Sequence, residues 1–197
     1  MTSNVSMNLV FLLEEESAKH FLNELLPRIL PCDVSFDLIA HQGRRDLQKS
    51  IPRKLKAWQK PDSFFVILHD LDNNPNCLDL KSKLRSLCPQ AMDNVPLIRI
   101  ICRELEAWYF GDLNAVQKAF RGFNAGNYRN RSQYRDPDAI VKPSEILKRN
   151  VKGFSKNFAA MEIPKHMDIN NNKSASFRNT IAGIKNLVET HMKCTEN

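Results

Sequence analysis

The chain has 197 residues, 42% of them hydrophobic and 26% charged, a globular balance with enough chain for a core that needs no staples. Its five cysteines (Cys32, Cys77, Cys88, Cys102, Cys194) are odd in number and form no C-x-x-C pair, which speaks against a disulfide framework or a zinc site and predicts buried free thiols in a reducing compartment. The formal charge of +7 is uneven, with seven Lys/Arg against one Asp in residues 41–60, and four Arg and no acid in residues 121–135. Phe123, Tyr128 and Tyr134 are interleaved with that second cluster. Such clusters suit either a polyanionic partner or a solvated basic surface.

The opening "MTSNVSMNLVFLLEEE" has an apolar stretch far shorter than the ~20 residues of a membrane span, and no basic leader. It predicts a cytoplasmic protein with no membrane association. "MNLVFLL" (7–13) reads as a buried strand. "SAKHFLNELLPRIL" (17–30) reads as a helix opened by Ser17, with Leu22, Leu25, Leu26 and Ile29 as its apolar stripe. "VSFDLIA" (34–40) is a second strand, and a turn at Gly43 leads into the basic segment 45–58. Pro52 is expected to interrupt or begin a helix there, since it has no N–H to give. "SFFVILH" (63–69) is a third strand, "LDLKSKLRSLC" (78–88) a helix and "VPLIRIIC" (95–102) a fourth strand, followed by "ELEAWYFGDLNAVQKAF". Beyond residue 121 the strand pattern stops. A long polar loop is expected to about 142, then helices over "PSEILKRNVKGFSKNFAAM" and "SASFRNTIAGIKNLVETHMK", the last capped by Ser174 or Ser176. Residues 1–120 thus form an α/β domain, with 121–197 as a basic loop and helical extension packed on it.

Strands apolar throughout and separated by amphipathic helices predict a mostly parallel sheet of about four strands, covered by helices on both faces. Ligand sites of open α/β sheets gather beyond the carboxyl ends of the strands. Strand one ends in Glu14, Glu15 and Glu16, strand two runs into Arg44 and Arg45, strand three ends in Asp70 and Asp72, and Arg103, Glu104 and Glu106 follow strand four. Parallel strands bring the acids to one edge, where they repel one another unless a cation sits between them. An oxygen-only ligand set suits Mg²⁺ or Mn²⁺. Taken singly, each acid reads as a cap or a surface charge, and Glu16 as a first-turn helix charge.

A strand-end Glu followed by a D-x-D at the end of a later strand resembles the TOPRIM signature of topoisomerases, primases and overcoming-lysogenization-defect nucleases. More of the chain is similar to a TOPRIM-like family encoded beside AAA-type ATPases in prokaryotes. The segments that carry the likeness are "LLEEESAKHFLNELLPRIL", "GRRDLQKSIPRKL", "FVILHDLDNN", "RIICRELEAWYFGDLNAV", "YRDPDAI", "GFSKNFAA" and "SASFRNTIAG". Two departures stand out: Arg44 replaces a lysine after the glycine, and the loop "NNPNC" lacks a further acid.

The resemblance implies a Mg²⁺- or Mn²⁺-dependent nuclease acting on DNA or RNA, with an AAA-type ATPase partner, in defence against phage or plasmids. Asp70 and Asp72 would then be metal ligands. Glu14 would be ligand or general base, with Glu15 as the alternative, and Glu104 or Glu106 would hold a second ion or orient the first. Arg44, Arg45, Arg103 and Lys156 are candidates to face the scissile phosphate. Nucleic acid is expected along Arg44, Arg45, Arg53 and Lys54, with Arg129 and Arg131 extending the track. His69 adjoins Asp70 and could support it, His166 reads as structural, and Trp108, Tyr109 and Phe110 read as core rather than a base-stacking platform. No P-loop motif occurs. Two alternatives belong to other classes. One is a non-catalytic module that docks nucleic acid or the ATPase. The other is a haloacid-dehalogenase-like phosphatase, which "FFVILHDLDNNP" also resembles, although that fold normally opens with the motif.

Overall fold

The run Asn8–Leu13 has no polar face because it forms β1, an interior strand buried at every position. In the computed structural model, which describes residues 7–92 and 94–193, β1 lies between β2 (Ser35–Ala40) and β3 (Ser63–Asp70). β4 (Leu97–Ile101) completes a four-stranded sheet of order β2-β1-β3-β4. Its pairings are all parallel.

The steps from β1 to β2 and from β2 to β3 run in opposite directions across the sheet. Right-handed crossovers then require the connecting helices to lie on opposite faces, and the core divides accordingly. Phe21, Leu22 and Leu25 of α1 (Glu16–Leu25) pack with Leu9, Phe11 and Leu13 of β1. Leu47, Ile51 and Leu55 of α2 (Arg44–Ala57) and Leu80 and Leu84 of α3 (Cys77–Ser86) pack with Val10, Leu12, Phe65 and Ile67. The alternation of side chains along each strand feeds both layers. The reversal falls between β1 and β3, so the crevice for a ligand lies at their carboxyl ends.

The second half of the chain thickens the α1 layer. It comprises α4 (Glu106–Gly111), α5 (Leu113–Ala119), α6 (Gly126–Arg129), α7 (Pro143–Asn150), α8 (Lys156–His166) and α9 (Ala175–Lys193). Trp108, Val116, Tyr128, Leu147, Ile163 and Phe177 from these helices join the same apolar cluster as α1. Among the described residues no helix is long and apolar enough to cross a membrane.

Side-chain clamps account for several of the polar motifs. Asp138 accepts from Ser174 Oγ (2.6 Å), Ser176 N–H (2.8 Å) and Ser176 Oγ (3.0 Å), while Ser174 Oγ caps α9 by accepting the Phe177 N–H at 3.1 Å. "YRDPDAI" and "SASFRNT" are therefore two halves of one joint. Gly111 has a similar reason: a Cβ there would stand 1.9 Å from Asn172 Oδ1, and Asn172 donates to the Trp108 carbonyl at 2.9 Å.

Several local expectations need correction. Pro52 sits inside α2 rather than at its end. It forfeits one backbone bond, but Leu47, Ile51 and Leu55 are buried on either side of it, and that packing holds the helix through the proline. Residues 143–161 form two helices, because Gly153 takes φ +78 and Ser155 caps α8 by accepting the Phe158 N–H. The stretch 121–142 contains α6 and short 3₁₀ turns instead of plain loop. Of the thiols, Cys88 is buried and Cys102 partly so, but Cys32 and Cys77 are exposed; Cys194 lies outside the described residues.

Candidate functional site

The β1–β3 register pairs Leu13 with Leu68, which sets Glu14 beside His69 and one residue short of Asp70 at the carboxyl edge. The Asp70 N–H donates to Glu14 Oε2 at 3.3 Å, and His69 Nδ1 lies 3.2 Å from the same oxygen. His69 is buried, and burial pushes its pKa down. Its Nδ1 also meets the Asp70 carbonyl at 2.6 Å, and its Nε2 meets Gln48 Nε2 of α2 at 2.9 Å. A carbonyl only accepts and an amide nitrogen only donates, so these partners select a neutral ring with its proton on Nδ1. Glu14 is thus held from behind. Burial, followed by the Asp72 charge, lifts its pKa from 4.5 to about 7, against the Asp70 N–H and Arg44.

Glu14, Glu15, Asp70 and Glu106 line one narrow pocket with Lys156, and its cavity volume of about 10 Å³ admits about one water or one ion. Asp70 is driven well above the usual carboxylate range by burial and then by Glu14, Glu106, Asp72 and Glu15. Glu106 is 1% exposed, and neither of its carboxylate oxygens has a hydrogen-bond partner among the described residues. Burial raises it from 4.5 to about 7 against the pull of Lys156. The Tyr109 hydroxyl is likewise buried and unpartnered, and is raised by burial and then by Glu106 and Asp70. Lys156 Nζ lies 3.3 Å from Glu15 Oε2. Burial works against its ammonium, but Glu106 and Glu15 outweigh that and lift it to about 12.

The loops after β3 and β4 lock to each other. Leu71 N–H donates to the Ile101 carbonyl at 2.8 Å and Asp72 N–H to the Arg103 carbonyl at 2.9 Å. Asp72 (φ 50) and Arg103 (φ 66) both take the left-handed conformation without being glycine. Such strain persists only where surrounding structure enforces it, and it concentrates at functional sites. Gly43, at φ +89, turns the chain into α2 and donates its N–H to the Glu14 carbonyl at 2.9 Å. Arg44 then reaches Asp72 Oδ2 at 3.7 Å.

The remaining candidates divide. Glu104 has one oxygen engaged, accepting the Ser144 N–H at the start of α7 at 3.2 Å. Arg44 and Arg45 line an open cavity of about 470 Å³ with Gln48 and Lys83. Arg53 and Lys54 lie nine and ten residues along α2 from Arg44, roughly 14 Å down the helix. Arg129 and Arg131 belong with α6 in the opposite layer, and Arg129 bonds to Asn114 Oδ1. The two parts of the expected basic track thus lie with different layers of the fold. Gln48 and Lys83 were not singled out from the sequence, and Tyr109 only as core, although Gln48 is one helical turn beyond Arg44 and hence on the same face.

A family model described as a domain of unknown function, DUF4276, matches residues 13–185. The chain belongs to this family. No curated protein matches its sequence. Among solved structures it is similar to the C-terminal region of the OLD protein of Burkholderia pseudomallei, at 14% identity and a TM-score of 0.56 over 93% of this chain and 99% of that one. The likeness is one of fold, and the fold of this DUF4276 chain is TOPRIM-like.

Among the described residues, no three His, Cys, Asp or Glu side chains are grouped to ligate one ion as they stand. Each outer acid has a local partner: Glu14 has His69, Glu15 has Lys156, Asp72 has Arg44 and Glu104 has Ser144. The donor chemistry of this DUF4276 site nevertheless fits Mg²⁺ or Mn²⁺, which are held through one or two carboxylates with water filling the other positions. Asp70 supplies one such carboxylate, and Glu106, whose oxygens have no hydrogen-bond partner among the described residues, a second.

Proposed function

We propose that this chain is a TOPRIM-like nuclease dependent on Mg²⁺ or Mn²⁺ that hydrolyses phosphodiester bonds of nucleic acid. In this reading it works in the cytoplasm with an AAA-type ATPase, in defence against phage or plasmids. The observation that carries it is the pocket in the β1–β3 crevice, where Glu14, Glu15, Asp70 and Glu106 converge on a space shared with Lys156. Asp70, Asp72 and Glu14 would hold the ion, with Glu15 and Glu106 as the neighbouring carboxylates. When bound, the ion supplies Lewis-acid polarisation of a phosphoryl oxygen and lowers the pKa of a water.

The residues of the chain supply the rest. Lys156 places a permanent positive charge where negative charge develops on a transferring phosphoryl group, and Arg44 and Arg45 supply the same from the α2 side. Glu14, poised near 7, is ionised in part at neutral pH and must give up its own proton to serve as a ligand. His69, locked with its proton on Nδ1, keeps Glu14 oriented. Titration calorimetry with Mg²⁺ and Mn²⁺ tests the metal part. Wild type should bind and Asp70→Asn should not; equal binding by both would remove Asp70 from the centre.

A further inference from the structure

Two pockets share Lys156. It closes the acid pocket, and it also lines a cavity of about 420 Å³ between α7 and α8. Ser144 and Lys148 of α7 and Phe154 of the connecting turn form much of that second wall, which is mainly apolar. Phe154 is half-buried and is anchored against Phe120, with ring centroids 6.1 Å apart. Lys148 is exposed at the rim, and the one carboxylate there, Glu145, is already paired with Lys142 at 2.8 Å. Glu104 ties the cavity to the acids through the Ser144 N–H.

An apolar slot of this size takes a small planar group rather than a double helix, whose bases are stacked and paired out of reach. An aromatic wall and two ammonium groups at its edge match a base and its flanking phosphates. We propose that this slot holds the nucleobase next to the phosphate under attack, with Phe154 as its stacking surface and Lys148 and Lys156 on the phosphates. The substrate class is then single-stranded nucleic acid, or an unpaired segment of a longer one. This deepens the nuclease reading and rests on it for the chemistry, but binding in the slot needs no metal.

Fluorescence anisotropy in EDTA, with short labelled oligo-dT and oligo-U and a duplex of equal length, tests it. Single strands should bind at least about tenfold tighter than duplex. Phe154→Leu keeps an apolar anchor on Phe120 but removes the stacking face, and should weaken single-strand binding about 5- to 100-fold. Ser144→Tyr, which plugs the slot from its rim, should do the same while the protein melts as wild type does. Equal or tighter binding of duplex, or unchanged oligonucleotide affinity in both folded variants, would overturn the slot. Cleavage by wild type in Mg²⁺ or Mn²⁺ reads the metal centre separately. Phe154-dependent binding without cleavage supports the slot and removes the nuclease; cleavage with Phe154-independent binding does the reverse.

Discussion

Replacing Glu106 by glutamine probes the electrostatics of the site most cleanly, because this carboxylate is buried and has no hydrogen bond to lose. In an unfolded chain it releases its proton near pH 4.5, and in the folded one near 7. Between those values the folded state binds more protons, so stability falls as pH rises through that window and stays low above it. At about 1.4 kcal/mol for each tenfold change in proton affinity, ionised Glu106 destabilises the fold by about 3 kcal/mol at pH 8. Glu106→Gln mimics the protonated form and removes that cost, less whatever its buried amide leaves unsatisfied. For a chain of this size roughly 3 kcal/mol corresponds to about 6–12 °C in Tm. Thermal melts without metal should therefore show the variant above wild type by several degrees near pH 8 and level with it near pH 5. If the variant melts below wild type by the same margin at both pH values, Glu106 is a structural acceptor paired with Lys156, and the reasoning fails.

Glu14 must lose its proton to bind a cation, so Mg²⁺ affinity measured by calorimetry should rise from about pH 6 to about pH 8 and level off above the raised pKa. Asp138→Ala strands Ser174 and Ser176 at the α9 joint; hydrogen bonds to a charged group are worth about 1.5–3 kcal/mol each, and denaturant melts should show a loss of about that size or more. Gly111→Ala places a methyl against Asn172 Oδ1 and should lower Tm despite alanine's better helix propensity, with partial recovery in Gly111→Ala/Asn172→Ala. Arg44→Ala with Arg45→Ala should weaken oligonucleotide binding and flatten its dependence on salt, as phosphate contacts release fewer counterions; an unchanged salt slope would move the contact elsewhere.

The four strands could be read from the chain because each is a short, mainly apolar run, and parallel order followed from the helices between them. That order alone carried Glu14, Asp70 and Asp72 to one edge. What distinguished the acids from one another was not legible. Glu104 is claimed by a backbone N–H of α7, forty residues on, and Glu106 is buried in the pocket beside Asp70 and Lys156. The left-handed backbones of Asp72 and Arg103 depend on the loops after β3 and β4 bonding to each other, a tertiary event with no local signal. Pro52 misled for the same reason, since burial of Ile51 and Leu55 outweighs one lost hydrogen bond. The basic clusters of residues 41–60 and 121–135 look alike as strings, but α2 packs on one face of the sheet and α6, which follows the last strand, joins the layer on the other.

Incubation of the purified chain with single-stranded DNA, duplex DNA and RNA in Mg²⁺, Mn²⁺ or EDTA tests the central claim most directly. Cleavage in Mg²⁺ or Mn²⁺ is expected, with none in EDTA and none by Asp70→Asn, whose fold should be at least as stable as wild type because a repelled charge is gone. No cleavage by wild type in either metal, together with an Asp70→Asn variant that melts well below it, would contradict the metal-dependent nuclease and leave the acids as structural partners of Arg44 and Lys156.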